Sequence, residues 1–377
     1  MIYLDHAATT PLPEAVADTM YDVLRHQFGN PSAQYPLGRE AKELVEEARR
    51  TIAGALGCQL SALHFTSCGT ESDNWAIRAA AWQGRHTGRH IITTAVEHSA
   101  VLEPCRQLEQ EGYEVTYLKP DRTGHISTER VAEALREDTV LVSVMLVNNE
   151  TGCLFPVADI ARLLKERGSR ALLHCDAVQG FLKVPCAPAG WGVDLMSLSA
   201  HKIGGPKGIG ALYVRPDLRN LRPLLAGGGQ EEGLRSGTEA TAQIAGFAKA
   251  VALRQEGLEE KLAHMARIKA YCRERLLSIP GVVPVGGGEA PHILAVSLVG
   301  YPSANVINDL GSQGICLSAG PACHRGKASR GYAALGLDKR TAAGVLRLSF
   351  GPETTEGDID ALYEALLRHK NTRFSML

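Results

Sequence analysis

Short apolar runs alternate with longer segments of helical periodicity through the first half of the chain. The apolar runs predict strands, and the segments whose apolar residues recur every three or four positions predict helices. The predicted strands cover residues 63–66, 90–94, 114–118, 140–147, 171–174, 195–198 and 210–214. The predicted helices cover about 14–26, 40–56, 71–82, 100–111, 128–136 and 157–167. This alternation indicates an α/β fold in which a mainly parallel sheet lies between helices.

The second half of the chain has a different pattern. A glycine-rich segment covers 222–239, and one long helical pattern covers about 240–277. Beyond it, 293–298, 315–317 and 345–350 predict strands, and 303–311 and 358–368 predict helices. We therefore expect an N-terminal arm (1–14) that packs with a small domain, a large domain (15–255) and that small α/β C-terminal domain (256–377).

Composition narrows the class of protein. The chain has 377 residues, 45% of them hydrophobic, and a formal net charge of -1, so neither nucleic acid nor a membrane is expected as a direct partner. No apolar run approaches the roughly 18 residues of a membrane span, and the N-terminus lacks a signal-peptide pattern. The 9 cysteines are scattered without CxxC or zinc-type spacing. We expect a cytoplasmic protein in a reducing compartment, with no disulfide framework and no metal site.

Polar side chains follow the predicted strands at the point where each strand ends. In a parallel sheet these ends meet at one edge, where ligands of such folds bind. Lys202 follows the strand at 195–198 and precedes a glycine-rich turn. A partly desolvated lysine amine has a lowered pKa and attacks carbonyl groups. The polar residues at the strand ends are Ser67 to Glu71, Glu97 and His98, Asn148 to Glu150, Asp176 and Gln179, and Ser199, His201 and Lys202.

A lysine amine, a carboxylate, an imidazole and a helix start together indicate a site for pyridoxal 5'-phosphate (PLP). Lys202 is expected to bind the cofactor covalently, and Asp176 to pair with the pyridine nitrogen. Alone, Lys202 is typical of a solvated loop, and Asp176 or Thr70 of a helix cap. The other expected contacts are Gln179 with the ring hydroxyl, His98 with the ring face as a proton carrier, and Gly69, Thr70, Ser199 and His201 with the phosphate.

The chain resembles the cysteine desulfurases of the NifS/IscS type, in the class V aminotransferase-like branch of fold-type I PLP enzymes. The resemblance runs nearly end to end. The motifs that carry it include YLDHAATT at 3–10, GNPS at 29–32, GTE at 69–71, NNETG at 148–152, HCDAVQ at 174–179, SAHK at 199–202, GPKG at 205–208, RSGT at 235–238 and RLSFG at 347–351.

This resemblance implies a seven-stranded type of sheet in the large domain and a homodimer. It implies that Asn149 contacts the cofactor and the substrate, and that Arg347 binds the carboxylate of L-cysteine. It also implies that Thr238 reaches the phosphate in the partner subunit. The expected reaction converts L-cysteine to L-alanine and transfers the sulfur to a protein acceptor.

Cys323 occupies the position of the family's nucleophile. The thiolate is the reactive form of cysteine, and nearby cations favour it. His324, Arg325 and Lys327 follow Cys323 directly. The catalytic residues are therefore expected to be Cys323, Lys202 and His98, with the sulfur held on Cys323 as a persulfide. Taken alone, Cys323 is equally consistent with a free cysteine in a basic surface loop.

Several positions depart from the usual pattern, and several alternatives stay open. Cys68, Pro321 and Pro352 replace more usual residues around the phosphate loop, the nucleophile and the motif at 347–351. The alternatives are a selenocysteine lyase, a transaminase of the same branch, or a non-catalytic subunit that keeps the fold. The acceptor pathway is equally open among iron–sulfur cluster assembly, tRNA thiolation, synthesis of a thiolated cofactor, and DNA phosphorothioation.

Overall fold

The computed structural model describes residues 1–320, 330–373 and 375. Cys323 and Pro321 lie outside these residues. The strands are β1 (Ile2–Tyr3), β2 (Leu63–Thr66), β3 (His90–Thr94), β4 (Glu114–Leu118), β5 (Thr139–Met145), β6 (Leu172–Asp176), β7 (Leu195–Ser199), β8 (Gly210–Val214), β9 (Val282–Pro284), β10 (Ile293–Leu298), β11 (Ile315–Cys316) and β12 (Val345–Ser349).

Helices cover both faces of the larger sheet and one side of the smaller one. The helices are α1 (Glu14–His26), α2 (Pro36–Leu56), α3 (Gly69–Gly84), α4 (Ser99–Gln110), α5 (Thr128–Ala134), α6 (Val157–Glu166), α7 (Pro188–Trp191), α8 (Thr241–Gln255), α9 (Leu258–Leu277), α10 (Ser303–Ser312), α11 (Arg330–Ala334), α12 (Lys339–Ala343) and α13 (Glu356–Thr372). None of these helices, in the ranges that the structure describes, is long and apolar enough to cross a bilayer.

The larger sheet has seven strands in the order β2-β8-β7-β6-β5-β3-β4. Only β8 runs against its neighbours, pairing antiparallel with both β2 and β7. All other pairs are parallel. The expected α/β fold with a mainly parallel seven-stranded sheet is therefore confirmed, and the carboxyl ends of β2, β3, β5, β6 and β7 lie at one edge.

The two faces of this sheet account for the uninterrupted apolar runs in its strands. Successive side chains of a strand point to opposite faces. Ile91 of β3 packs in the cluster with Trp75 of α3 and Val101 of α4, whereas Ile92 packs with Ile52 of α2 on the other face. Because both faces are covered, β3, β5, β7 and β8 are buried at every position.

A smaller antiparallel sheet, in the order β12-β10-β9, is covered by α9, α10 and α13. The first residues of the chain join this unit, because Ile2 pairs with Ile315 in the parallel contact between β1 and β11. Leu4 is fully buried in the same apolar cluster. The domain boundaries inferred from the sequence stay a prediction.

The helical region predicted over 240–277 consists of two helices, and their junction lies near the middle, where the sequence predicts a domain boundary. Helix α8 ends at Gln255, and α9 begins at Leu258. Between them Gly257 has φ 59°, a left-handed conformation that ends the helical hydrogen bonding. The periodicity is continuous because both helices bury apolar side chains, so the pattern alone did not show the break.

The left-handed conformation of Gly257 gives a stability prediction. Gly257→Ala should lower the melting temperature, because this conformation costs a residue with a Cβ about 1–2 kcal/mol. Gly54→Ala, in the exposed part of α2, should raise it, because alanine is favoured over glycine in a helix by about 0.5–1 kcal/mol. A Cβ at Gly54 meets nothing within 4 Å. Calorimetry of both variants with cofactor bound checks the prediction, and equal shifts of the same sign would contradict it.

Candidate active site

A cavity of about 220 Å³ lies at the carboxyl edge of the larger sheet. Most of the residues predicted for the site line it. They are Gly69, Thr70, His98, Asn149, Asp176, Gln179, Ser199, His201, Lys202 and Arg347. Thr238 is exposed and does not line this cavity. Cys323 lies outside the described residues.

Lys202 lies just beyond the end of β7, and its amine contacts the N-terminal arm. Its Nζ donates hydrogen bonds to the carbonyl oxygens of Ala7 at 2.7 Å and Ala8 at 2.8 Å. The arm is fixed in turn by Thr10, whose hydroxyl donates to the His201 carbonyl and accepts from the Gly204 amide. Sequence analysis assigned no chemistry to residues 7 and 8, which act through their main-chain carbonyls and therefore give no side-chain signal.

Asp176 ends β6 and is buried, with 7% of its surface exposed. Its Oδ1 accepts a hydrogen bond from the Val178 amide at 2.9 Å. The pKa of Asp176 is raised, mainly by burial. His98, the Val178 amide and Lys202 oppose this rise. A buried carboxylate of this kind is suited to hold a cationic group that also lies out of water.

Two further buried acids lie behind Asp176, and sequence analysis gave neither a role in the site. The Oε1 atom of Glu97 accepts from the Thr94 hydroxyl at 2.9 Å and the Met145 amide at 3.0 Å. Burial raises the pKa of Glu97 to about 8, and burial together with Asp176 also raises the pKa of Asp73. Burial therefore disfavours the charged form of both acids, and the charge of Asp176 adds to this effect in each.

The start of α3 forms the other end of the cavity. Cys68 precedes the helix without a side-chain cap, so the first amides of α3 depend on another acceptor. The helix dipole favours an anion at this end. A Cβ at Gly69 would lie 2.7 Å from Cγ2 of Val178, so glycine permits the close approach of these two segments.

His98 caps α4 and faces the cavity. Its Nδ1 accepts a hydrogen bond from the Ala100 amide at 3.1 Å, so a neutral His98 ring carries its proton on Nε2. His201 lies in another part of the site, beside the N-terminal arm. Burial lowers the pKa of His201 to about 3, so its ring is neutral, and Nδ1 lies 3.2 Å from the Thr9 hydroxyl.

Gln179 connects the arm with a buried lysine that sequence analysis missed. Its Nε2 donates to the Ala7 carbonyl at 2.8 Å, and its Oε1 accepts from Lys183 Nζ at 3.3 Å. Burial lowers the pKa of Lys183. The same carbonyl of Ala7 therefore accepts from Gln179 and from Lys202, and it links the two predicted residues.

Arg347 of β12 brings the smaller sheet to the cavity. Its Nη1 donates to the main-chain carbonyl of Asn149 at 2.9 Å, and its Nη2 donates to Oδ1 of Asp5 at 2.8 Å. Asp5 also accepts from the Ser318 hydroxyl at 3.0 Å. Asp5 was not predicted, and its carboxylate occupies one side of the guanidinium that was predicted to bind a substrate carboxylate.

These residues fit pyridoxal phosphate. The first amides of α3 and the glycine at residue 69 suit a phosphate, and the buried carboxylate of Asp176 suits a protonated ring nitrogen. The amine of Lys202 lies on the same cavity wall and can bond to the cofactor aldehyde. The remaining lining residues that sequence analysis did not assign to the site are Ala7, Ala8, Cys68, Asp73, Met145, Val147 and Val178.

Comparison with known proteins agrees with a site for pyridoxal phosphate. The chain is 40% identical to the Putative cysteine desulfurase IscS 1 of Bacillus subtilis (strain 168) over 356 residues, which cover 93% of each chain. It is similar in structure to a "NifS-like protein" with a TM-score of 0.93 and 36% identity, covering 99% of this chain and 100% of that one. It is also similar to SspA in complex with cysteine, with a TM-score of 0.81 and 34% identity, covering 94% and 100% of the two chains.

The sequence also matches a family description over nearly its whole length. The family is Aminotransferase class-V, and the match covers residues 2–362. Both the larger sheet with its cavity and the smaller sheet that carries Arg347 lie within this range. The chain therefore belongs to the aminotransferase class-V family of pyridoxal-phosphate enzymes.

Proposed function

We propose that this protein is a cysteine desulfurase, which converts L-cysteine to L-alanine and holds the released sulfur as a persulfide on Cys323. One observation carries the proposal. Lys202, the buried Asp176 and the start of α3 line the same cavity as Arg347, a cation suited to the carboxylate of an amino acid. The identity of 40% to a relative that is named a cysteine desulfurase supports L-cysteine as the substrate.

The residues of the cavity divide the chemical work. Pyridoxal phosphate, when bound, withdraws electrons from the Cα atom of an attached amino acid. Lys202 holds the cofactor at rest and moves the Cα proton after substrate has displaced it, with His98 as a second proton carrier. Asp176 stabilises the protonated ring nitrogen, and His98 and Lys202 favour its charged form because they oppose the rise of its pKa on burial.

The position of the chain on both sides of the undescribed segment supports the role of Cys323. Ser318, before it, forms a bridge with Arg347, and the Tyr332 hydroxyl, after it, donates to the Glu150 carbonyl at 3.3 Å. Cys323 follows Ser318 by five residues, which span at most about 17–18 Å when extended. This length of chain is enough for Cys323 to act in the cavity, which supports the proposed role.

Sulfur transfer requires that one bond forms while another breaks. The Cys323 thiolate attacks the substrate sulfur and forms an S–S bond, while the bond between sulfur and the substrate Cβ breaks. The electron pair of that bond remains with the carbon skeleton, which takes up protons and leaves as alanine. His324, Arg325 and Lys327 favour the thiolate form of Cys323 by their positive charge.

The proposal includes a homodimer, a cytoplasmic location and a protein that accepts the sulfur. Thr238 is exposed in the single chain, and residues of its segment such as Gly237 are exposed as well. A hydroxyl there is available to the cofactor phosphate of a partner subunit.

The acceptor pathway can be assigned by incubating the protein with labelled L-cysteine and identifying the co-purifying protein that takes up the label.

The first prediction concerns cofactor attachment. Lys202→Ala should remove the visible absorbance of the covalently bound cofactor and lower alanine formation by about 10³-fold or more, because the anchor and the proton carrier are lost together. Lys183→Met serves as a control, since Lys183 lines a neighbouring cavity and contacts Gln179. Persistence of the absorbance in Lys202→Ala would identify another lysine as the anchor.

The second prediction concerns the nucleophile. Cys323→Ser should abolish sulfide release from L-cysteine in the presence of a reductant, with cofactor absorbance unchanged, because a hydroxyl is a far weaker nucleophile toward sulfur than a thiolate. Cys68→Ser, which changes the cysteine that lines the cavity, should keep the activity. Normal turnover in Cys323→Ser would reject Cys323 as the nucleophile.

The third prediction concerns substrate binding. Arg347→Lys should raise KM for L-cysteine about 10- to 100-fold with a smaller change in kcat, because lysine lacks the planar fork that pairs with a carboxylate. Asp5→Asn should lower KM, because the substrate carboxylate then competes with a neutral amide for Arg347 and no longer with the carboxylate of Asp5. Steady-state kinetics separates the two effects, and an unchanged KM in Arg347→Lys would remove Arg347 from the substrate site.

A further inference from the structure

A second group of side chains, each with an atom that can bind a metal ion, lies away from the cavity, between segments of the larger and smaller sheets. A nitrogen of the His125 ring, Sγ of Cys153 and a carboxylate oxygen of Glu289 lie within 4.8 Å of one another. Cys153 is fully buried, whereas His125 and Glu289 keep 30% and 46% of their side-chain surface exposed. The three residues come from the loop after β4, the turn after β5 and the segment between β9 and β10.

The His125 ring is oriented by a chain of hydrogen bonds. The Thr123 hydroxyl donates to Oδ1 of Asp121 at 2.6 Å and lies 2.8 Å from Nδ1 of His125. Since the carboxylate only accepts, the hydroxyl is left to accept from Nδ1–H. The lone pair of Nε2 then faces Oε1 of Glu289, which it contacts. In the absence of a metal these two atoms share a proton, and a metal ion would take its place.

Glu289 and Cys153 are also held in place. The Oε2 atom of Glu289 accepts from the Leu154 amide at 2.9 Å, directly beside Cys153. Main-chain bonds join the segments, with the Gly287 amide donating to the Thr123 carbonyl at 2.7 Å. On the far side, Lys269 Nζ donates to the Ala290 carbonyl at 2.8 Å. The ligand atoms are therefore carried by segments whose relative positions are fixed.

We propose that His125, Cys153 and Glu289 bind a divalent zinc ion that joins the larger sheet to the smaller one. A thiolate, an imidazole and a carboxylate with one exposed position for water match the ligands of zinc, whereas calcium and magnesium prefer oxygen alone. Tetrahedral zinc, with bonds of about 2.0–2.3 Å, places its ligand atoms roughly 3.3–3.8 Å apart. Side-chain adjustments of about 1 Å complete this geometry.

The charges balance when the ion binds. A thiolate and a carboxylate together neutralise a divalent cation. Two protons pass to the solvent as the metal binds, one from the Cys153 thiol and one that His125 and Glu289 share. Burial raises the pKa of the Cys153 thiol, while the Thr151 hydroxyl and the Gly287 amide lower it. Without a metal, the Cys153 thiol donates its proton to the Thr123 carbonyl at 3.3 Å, and this is the proton that metal binding removes.

Cobalt binding to the holoenzyme tests the proposal. In buffer free of thiols and L-cysteine, one Co²⁺ per chain should bind and give the intense visible bands of a four-coordinate ion together with a thiolate-to-cobalt band. Zn²⁺ should displace the cobalt and raise the melting temperature. Cys153→Ser should abolish the thiolate band, and Thr123→Val, which releases the His125 ring without removing a ligand, should weaken binding about 10- to 100-fold.

Matched variants keep the result interpretable. Cys105→Ser replaces another fully buried cysteine, in α4, and should leave cobalt binding unchanged. Cys323→Ser should also leave it unchanged. Loss of the thiolate band in Cys323→Ser instead would assign the metal to the segment of residues 323 and 324 and overturn the proposal. A dissociation constant weaker than about 1 mM in the unmodified holoenzyme would overturn the proposal and leave His125 and Glu289 as an ion pair.

Discussion

The common direction of six of the seven strands in the larger sheet is the constraint on which the cavity depends. Strands β2, β3, β5, β6 and β7 end at the same edge, so the residues that follow them meet although they are far apart in the chain. The one reversed strand, β8, returns from the glycine-rich turn after Lys202 and pairs with β7 and β2.

The same burial that stabilises the sheet sets the charges around the cavity. Helices cover both faces, so acids and imidazoles at the strand ends are removed from water. Burial lowers the pKa of His174 to about 3 and keeps that ring neutral, with Ser143 and Ser197 as its hydrogen-bond partners. Burial also favours protonated Glu97. A cation bound against Asp176 would offset the cost of keeping that carboxylate charged out of water.

The arm and the smaller sheet complete the cavity from outside the larger sheet. The Ala7 and Ala8 carbonyls accept hydrogen bonds from the Lys202 amine. Arg347 donates to Asp5 of the arm and to the Asn149 carbonyl. Since β1 pairs with β11 and Asp5 forms a bridge with Ser349 of β12, the arm and the smaller sheet are connected. A shift of these connected parts would change the environment of Lys202 and Arg347 together, which connects substrate binding to the position of the arm.

The sequence by itself determined the local structure and most of the site. Strands such as His90–Thr94 and Ile293–Leu298 have the predicted bounds, because uninterrupted apolar runs between turn residues specify buried strands. Polar residues at strand ends specified Lys202, Asp176 and His98. Only the tertiary structure decided the break at Gly257, the pairing of Asp5 with Arg347, and the meeting of His125, Cys153 and Glu289. These depend on backbone conformation and on contacts between distant segments, which leave no periodic or spacing signal along the chain.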